Sequence, residues 1–434
     1  MRKSLNLATI LMALVISACD TGQTSSGAQH SPALNQAPSS LNNLGISIPH
    51  LERIETVLQQ EVDEGIRAGF VAMVAKDGEI VYQTAVGMAD RENNIAMSED
   101  TRFRIGSMTK AITTVALMQL VENGSVLLSD PVSKYIPEFA DMVVATSQES
   151  KADGTFETIA LKHPITLHHL LTHTSGLDYA FEPKTDLDRR YNESNLYRAE
   201  GDLSNRINIL TSLPLYEQPG EKYRYSYGID VAGLVVEVVS GKPLEIYFRE
   251  NIFEPLEMKD TEFFIDQTDF ERLAVVYDVE GEGQLIRATN DSFLLAPNEK
   301  GQGWMSGGGG LVSSTNDYMR FYLMLLNKGQ LGGKRLLSPA SVSLMFQRNL
   351  QVGVEFSSGF TFGLGGFVVE KPGVNGTFGE VGDWGWGGYY DTSATLSPSK
   401  NLAVIVMSQQ LPWSAPTSRA SSLVQTIAYG ALDE

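Results

Sequence analysis

The chain has 434 residues, 42% of them hydrophobic, enough apolar material for one large domain or two lobes around a substantial core. Its 52 acidic residues outweigh 33 Lys and Arg, giving a formal net charge of −19 and a pI near 4.8. A nucleic-acid partner calls for a basic face that neutralises phosphates, so this balance argues against one and most simply serves solubility.

Met1-Arg-Lys-Ser4 followed by the apolar run Leu5 to Ile16 has the form of an export signal, too short to span a bilayer. It ends in Ile16-Ser-Ala-Cys19, which resembles the lipobox of bacterial lipoproteins, in which the cysteine is lipidated and becomes the first mature residue. Residues 1–19 are therefore expected to be a lipoprotein signal peptide. Cys19 is expected to be the lipidation site that gives the protein a membrane partner, placing it in a bacterial cell envelope facing the periplasm. It is the only cysteine, so the folded part must hold without a disulfide. Asp20 behind it resembles the inner-membrane retention signal of some bacteria. Residues 20–45, rich in Ser, Gln, Asn, Ala, Gly and Pro, read as a flexible tether, and 46–434 as the folded domain.

Leu51, Ile54, Val57, Leu58 and Val62 recur at helical spacing and predict an opening amphipathic helix. Phe70 to Ala75 and Glu79 to Val86 are strand-like runs joined by Lys76-Asp77-Gly78, a hairpin signal. Thr101 to Gly106 reads as extended chain, and Ala111 to Glu122 as a helix with apolar residues at helical spacing, stopped at Asn123-Gly124. Further helices are expected at Thr166 to Thr172, Ile229 to Val239, Pro243 to Asn251 and Asp317 to Leu326. The Gly307 to Gly310 run reads as a tight turn before a helix. Tyr389 to Leu396 and Asn401 to Gln409 are strand-like around Ser397-Pro-Ser-Lys400, and a helix runs from about Ser418 to Leu432. The fold expected is α/β (α+β): an antiparallel sheet built from both chain ends and flanked by helices, with a mostly helical inserted lobe at roughly 110–340.

Ser107-Met-Thr-Lys110 carries the chemistry, because a serine and a lysine three residues apart at a helix start share one face and can exchange a proton. A serine hydroxyl is a poor nucleophile unless a neighbour accepts its proton. A lysine does so when desolvation or nearby positive charge disfavours its cation, as the positive end of a helix dipole does. By itself Ser-x-x-Lys is a common pattern that any solvated helix start produces. Three further segments follow it in order: His169-Leu-Leu-Thr-His-Thr-Ser-Gly-Leu177, Pro219-Gly-Glu-Lys-Tyr-Arg-Tyr-Ser-Tyr-Gly228, and Gly385-Trp-Gly-Gly388 opening a strand.

Together with Gly309-Gly-Leu-Val-Ser-Ser-Thr-Asn-Asp-Tyr-Met-Arg-Phe321, these segments resemble the penicillin-recognising serine hydrolases. The branch is the one holding class C β-lactamases, D-alanyl-D-alanine peptidases and family VIII carboxylesterases, and the likeness runs from about residue 50 to 430. It implies a β-lactamase/transpeptidase-like fold. It also implies Ser107 as the acylated nucleophile, Lys110 as the group that eases its proton transfer, and Tyr225 as a proton relay to the leaving group. Where the family's tyrosine motif has asparagine in third place, this chain has Tyr227, and Tyr223 and Tyr227 read as packing residues. Relatives that bind β-lactams carry Lys or His, then Thr or Ser, then Gly in the third motif. Here the motif is Trp386-Gly387-Gly388, the variant that family VIII carboxylesterases tend to carry, with no cation to meet a substrate carboxylate. Trp386 then reads as a pocket wall, and the backbone amides of Ser107 and Tyr389 as the oxyanion hole.

His163, His168, His169 and His173 invite a metal reading, but the pattern lacks His-Glu-x-x-His and the resemblance makes them scaffold for Thr174-Ser-Gly176. Neither Gly-x-Ser-x-Gly nor a Walker-type loop occurs, which argues against an α/β-hydrolase and a nucleotide enzyme. The expected function is a serine hydrolase cleaving small ester or acyl substrates through an acyl-enzyme, with no metal or cofactor. The alternatives are a cell-wall D-alanyl-peptide hydrolase or β-lactamase of the same fold, and a non-catalytic binding lipoprotein, which would have no need of the Ser107, Lys110 and Tyr225 set.

Overall fold

The computed structural model describes residues 44–197, 199–281, 283–289, 304–411 and 417–433. Residues 1–43, which carry the expected export signal, Cys19 and nearly all of the tether, lie outside the described residues.

The strands that matter to the site are, in chain order, β1 (Gly69–Lys76), β2 (Glu79–Asp90), β3 (Ile95–Ala96), β4 (Arg102–Arg104) and β5 (Val312–Ser314). After them come β6 (Phe360–Phe362), β7 (Phe367–Val369), β8 (Trp384–Gly388), β9 (Thr392–Ser397) and β10 (Leu402–Met407). The helices around them are α1 (Arg53–Asp63), α2 (Thr109–Glu122), α3 (Gly228–Ser240), α4 (Thr315–Leu326) and α5 (Ala420–Gly430). An eight-stranded antiparallel sheet runs in the order β6-β7-β8-β9-β10-β1-β2-β3. The two chain ends meet where β1 pairs with β10, from Val71 opposite Met407 to Lys76 opposite Leu402. Asp77 and Gly78 turn the β1–β2 hairpin at φ of 53° and 87°.

Because β1 and β10 are apolar at almost every position, a sheet with one wet face would leave half of each run in water. Both faces are covered. Val71, Met73, Ala75, Ala403, Ile405 and Met407 join a core with α2 and α4, while α1 and α5 pack against each other and on β1, β2 and β10. Helix α2 is buried on nearly every side. Thr109 to Met118 and Leu120 are all buried, and its threonines satisfy themselves internally: Thr113 Oγ1 donates to the Gly307 carbonyl (2.6 Å) and Thr114 Oγ1 to the Lys110 carbonyl (2.8 Å).

Three expectations need correcting. Tyr389 does not begin a strand. Trp384–Gly388 is a strand of its own, Tyr389 to Asp391 form the turn with Asp391 at φ 61°, and β9 starts at Thr392. The glycine run at 307–310 leads first into β5, and only then into α4. The helix expected from Pro243 to Asn251 is α-helical at Leu244–Phe248, then passes through a π-helical turn at Arg249–Phe253. The short strands β6 and β7, unread in the sequence, extend the sheet beyond β8.

The ribbon of β4 with β5 pairs Arg102 with Ser314, Phe103 with Ser313 and Arg104 with Val312, which sets the turn at Gly106–Met108 beside the glycine turn at 307–309. From the other side the end of β8 presses against the same turn. Gly106 sits at φ 48°, and a Cβ there would lie 2.8 Å from the Tyr389 amide nitrogen. A Cβ on Gly388 would collide with Thr392 Oγ1 and with the Ile105 carbonyl, whereas one on Gly387 would meet only the Thr392 carbonyl at 3.2 Å. Gly388→Ala is therefore expected to cost about 1–3 kcal/mol in urea unfolding. Gly387→Ala is expected to stay near wild type, and equal losses in the two variants would break this account of the contact.

Candidate active site

Ser107 lies in the 3-10 turn Gly106–Met108 that enters α2, so Lys110 falls in the first helical turn, one turn beyond it. Its side chain is 1% exposed. Lys110 Nζ donates to Ser107 Oγ at 3.3 Å and to the Gly308 carbonyl at 2.6 Å. It also lies 4.6 Å from the centre of the Tyr225 ring and 5.1 Å from that of Tyr179. From the far side Tyr225 Oη donates to Ser107 Oγ at 2.5 Å. The three residues that the sequence separates by up to 118 positions thus converge on one oxygen.

Tyr225 is fixed through its neighbour. Arg224 donates from Nε and Nη2 to Glu217 (2.9 and 2.6 Å) and from Nη1 to Asp178 (2.6 Å), while its backbone amide donates to the His173 carbonyl (2.7 Å). The Thr172-His-Thr-Ser-Gly176 turn closes on the same segment, with the Gly220 amide donating to the Thr174 carbonyl at 2.7 Å. Tyr227 is 1% exposed with its ring 4.3 Å from that of Tyr179, and Tyr223 packs on Phe356 and Phe362.

Trp386 stands beside Tyr225, ring centres 5.5 Å apart, and its Nε1 donates to Tyr225 Oη at 3.4 Å. Phe356, Phe362 and Phe367 hold the indole from behind. The cavity over Ser107, small at about 20 Å³ and open to solvent, is lined by Tyr179, Phe181, Tyr197 and Tyr389 with Gly106 and Gly309. Apart from Ser107 itself, every group on that wall is aromatic or glycine, and none is charged. Tyr389 is on the wall, Gly388 packs beneath it, and Trp386 backs Tyr225 instead of lining the space.

Sequence reading missed the layer behind Lys110. Asp230, fully buried in the first turn of α3, accepts from Ser306 Oγ (2.5 Å), the Gly308 amide (2.9 Å) and Tyr179 Oη (3.1 Å). Burial raises its carboxyl above the usual range, and the Lys110 charge with these donors draws it back. Gly308 has to be glycine, since a Cβ would collide with that carboxylate and lie 2.7 Å from Tyr179 Oη. The available signal was an acid inside the apolar run Ile229-Asp-Val-Ala-Gly-Leu234.

A serine whose hydroxyl meets a buried lysine and a tyrosine, beside a tight backbone turn, defines a serine hydrolase site. Residues 54–427 match the family model described as Beta-lactamase. The chain is 32% identical to Esterase EstB of Burkholderia gladioli over 82% of this chain and 89% of that protein. It is 30% identical to Lovastatin esterase of Penicillium rubens, over 80% and 90%. The solved structure described as EstCE1, a hydrolase with promiscuous acyltransferase activity, superposes with a TM-score of 0.75 at 29% identity, over 88% of this chain and 99% of that one. The chain belongs to the Beta-lactamase family of serine hydrolases.

The histidines serve the turn below the site. His169 completes a capping box with Thr166, its Nδ1 accepting from the Thr166 amide at 3.2 Å while Thr166 Oγ1 accepts from the His169 amide at 3.3 Å. His173 is fully buried 4.8 Å from the Tyr225 ring, and burial followed by the Lys110 charge holds it well below the usual histidine range. His163 is exposed and His168 half-buried, and the described residues hold no cluster of three or more metal-ligating side chains. Burial, then the charges of His168 and His163, lowers His169 from 6.5 to about 4. Between those values the unfolded chain binds the extra proton, so the stability His169 contributes is present above about pH 6.5 and is lost as pH falls towards 4. His169→Gln keeps a capping partner and removes the titration. Its urea midpoint is expected to fall less than that of wild type between pH 7 and 4.5, and parallel curves would contradict the assignment.

Proposed function

We propose that this protein is a carboxylesterase that cleaves neutral esters through an acyl-enzyme on Ser107, with Lys110 and Tyr225 moving the proton. The observation that carries the reading is the convergence of Lys110 Nζ and Tyr225 Oη on Ser107 Oγ beneath a wall without charge. Ser107 Oγ attacks the ester carbonyl and its proton passes to Tyr225 and Lys110. The carbonyl oxygen becomes an oxyanion facing the backbone amides of Ser107 and Tyr389. The same proton returns to the departing alkoxide. Water then repeats the sequence on the acyl-enzyme and frees the acid.

Selection of a neutral ester follows from the third motif. Trp386 occupies the position from which relatives that bind β-lactams present a cation, and its indole offers Tyr225 a neutral donor. A substrate carboxylate entering here would lose its hydration with no counter-charge on the wall. The named esterase relatives support the same class.

The export pattern at residues 1–19 supports a second element of the reading: anchoring through lipidated Cys19 in a bacterial cell envelope, the domain facing the periplasm on its tether. Among the described residues no helix is long and apolar enough to cross a membrane.

Replacing Trp386-Gly387 by Lys-Thr tests the ester reading. Wild type is expected to hydrolyse an aryl acetate with far higher kcat/KM than nitrocefin, and Ser107→Ala to lose both. In the double variant ester turnover should fall and nitrocefin turnover rise by about tenfold or more, since a charge-assisted hydrogen bond contributes roughly 1.5–3 kcal/mol. Circular dichroism checks that β8 survives. A wild type that prefers nitrocefin or a D-alanyl-D-alanine peptide would replace the esterase by the alternative activity.

Cys19→Ser should move the protein from the membrane to the soluble fraction of its host without changing soluble ester turnover. A variant that stays with the membrane would contradict the lipid anchor.

A further inference from the structure

Among the described residues Lys110 makes no ion pair, although its amine is buried beside a serine that must give up a proton. The carboxylate in this region is Asp230, one layer further in. Two of its partners also touch Lys110, and the third reaches the cavity wall. Gly308 gives its amide to Asp230 Oδ1 and its carbonyl to Lys110 Nζ. Tyr179 gives its hydroxyl to Oδ2 and its ring face to the same amine. Ser306 gives its hydroxyl to Oδ1 and meets Tyr197 Oη at 3.0 Å, and Tyr197 lines the cavity. The Gly308 amide donates to Oδ1, and the Ser306 and Tyr179 hydroxyls are placed to donate to Oδ1 and Oδ2, the surroundings that an ionised carboxylate needs.

We propose that Asp230 is a positioning residue of the acyl-transfer centre: a fixed negative charge behind Gly308 and Tyr179 that holds Lys110 in place and balances it when it takes the Ser107 proton. The idea rests on the assignment of Ser107 and Lys110 above, but not on the ester preference. The groups facing the pair are Tyr179 and Tyr197, Tyr225 and Tyr227 near α3, Ser107 on the entry to α2, and His173, which burial keeps neutral. Tyr179 and Tyr197 supply no negative charge at neutral pH, since burial holds both well above the usual phenol range. Without Asp230 the new ammonium would stand in a dry space with only a carbonyl and ring faces around it.

The test uses a fluorophosphonate, which reports proton transfer at Ser107 whatever ester the enzyme prefers. Serine Oγ bonds to phosphorus, fluoride leaves, and the serine proton goes to Lys110, by way of Tyr225. The labelling rate of the full chain is followed from pH 5 to 10. Asp230→Asn keeps the shape and removes the charge. It is expected to slow labelling at neutral pH by about tenfold or more and to move the acid limb of the profile to lower pH by about one unit or more, because the cation has lost its counter-charge. The KM for an aryl ester should change little beside kcat.

A folded Asp230→Asn protein with the wild-type limb and rate would make Asp230 a packing residue only and overturn the proposal. If that variant does not fold, Tyr179→Phe carries the test. It keeps the ring and the charge but removes one donor from the carboxylate, so the limb should move in the opposite direction, to higher pH. An unmoved limb there counts equally against the proposal. Absence of labelling at Ser107 in wild type would instead refute the nucleophile assignment, which keeps the two failures apart.

Discussion

A lysine amine buried beside a serine is the constraint around which this molecule is organised. Taking an ammonium out of water costs several kcal/mol unless its surroundings compensate, and here they do so without a direct carboxylate contact. The compensation is a carbonyl at 2.6 Å from Gly308, the faces of Tyr179 and Tyr225, and the charge of Asp230 behind them. A cation over an aromatic face gains roughly 0.5–2 kcal/mol as desolvation increases. Removing the outer layer would leave the amine with less reason to accept a charge, so the chemistry depends on residues that no substrate touches.

The fold explains why that layer can be built. Helix α2 is buried on nearly every side, so its first turn brings Lys110 into the interior and leaves Ser107, on the turn before it, at the cavity. The β4–β5 ribbon fixes the turn and the glycine loop side by side, and the absence of side chains at Gly307 to Gly310 lets Asp230 and Lys110 approach the same short stretch of backbone. On the opposite side β8 is a central strand of the sheet joined from both chain ends, and its last glycine packs on Ile105 without room for a methyl group. Rigid elements therefore hold the site from each direction, with the Arg224, Glu217 and Asp178 network locking the Tyr225 segment onto the turn at Thr174.

Trp386 links specificity to this machinery. Its ring closes an aromatic cluster with Phe356, Phe362 and Phe367, and the indole hydrogen bond reaches Tyr225, so the position that sets the proposed ester preference also touches the proposed proton relay. A change there would be felt first by tyrosine orientation. That coupling gives a physical reason why exchange of one activity for another at this position calls for a paired substitution with β8 kept intact.

The sequence by itself determined the parts of the protein whose signal is local. The Asp77-Gly78 hairpin, the paired apolar runs of β1 and β10, the spacing of Ser107 and Lys110 on one helical face, and the segments around His169 and Tyr225 all lie within short windows where period, turn chemistry or motif is visible. Misreadings came where local pattern was too short or tertiary contact decided. Three-residue strands such as β6 and β7 have no legible alternation, and the turn at Tyr389 depends on Asp391 adopting a left-handed backbone in a tight hairpin. The apolar spacing of α2 showed a helix but not its depth, and packing on nearly all sides buries even its threonines. Only the tertiary structure could find Asp230, Gly308 and Tyr179. They lie far apart in the chain, and their meaning arises from one dry space in which a carboxylate, a carbonyl and a ring face surround the same amine, an arrangement no spacing along the sequence encodes.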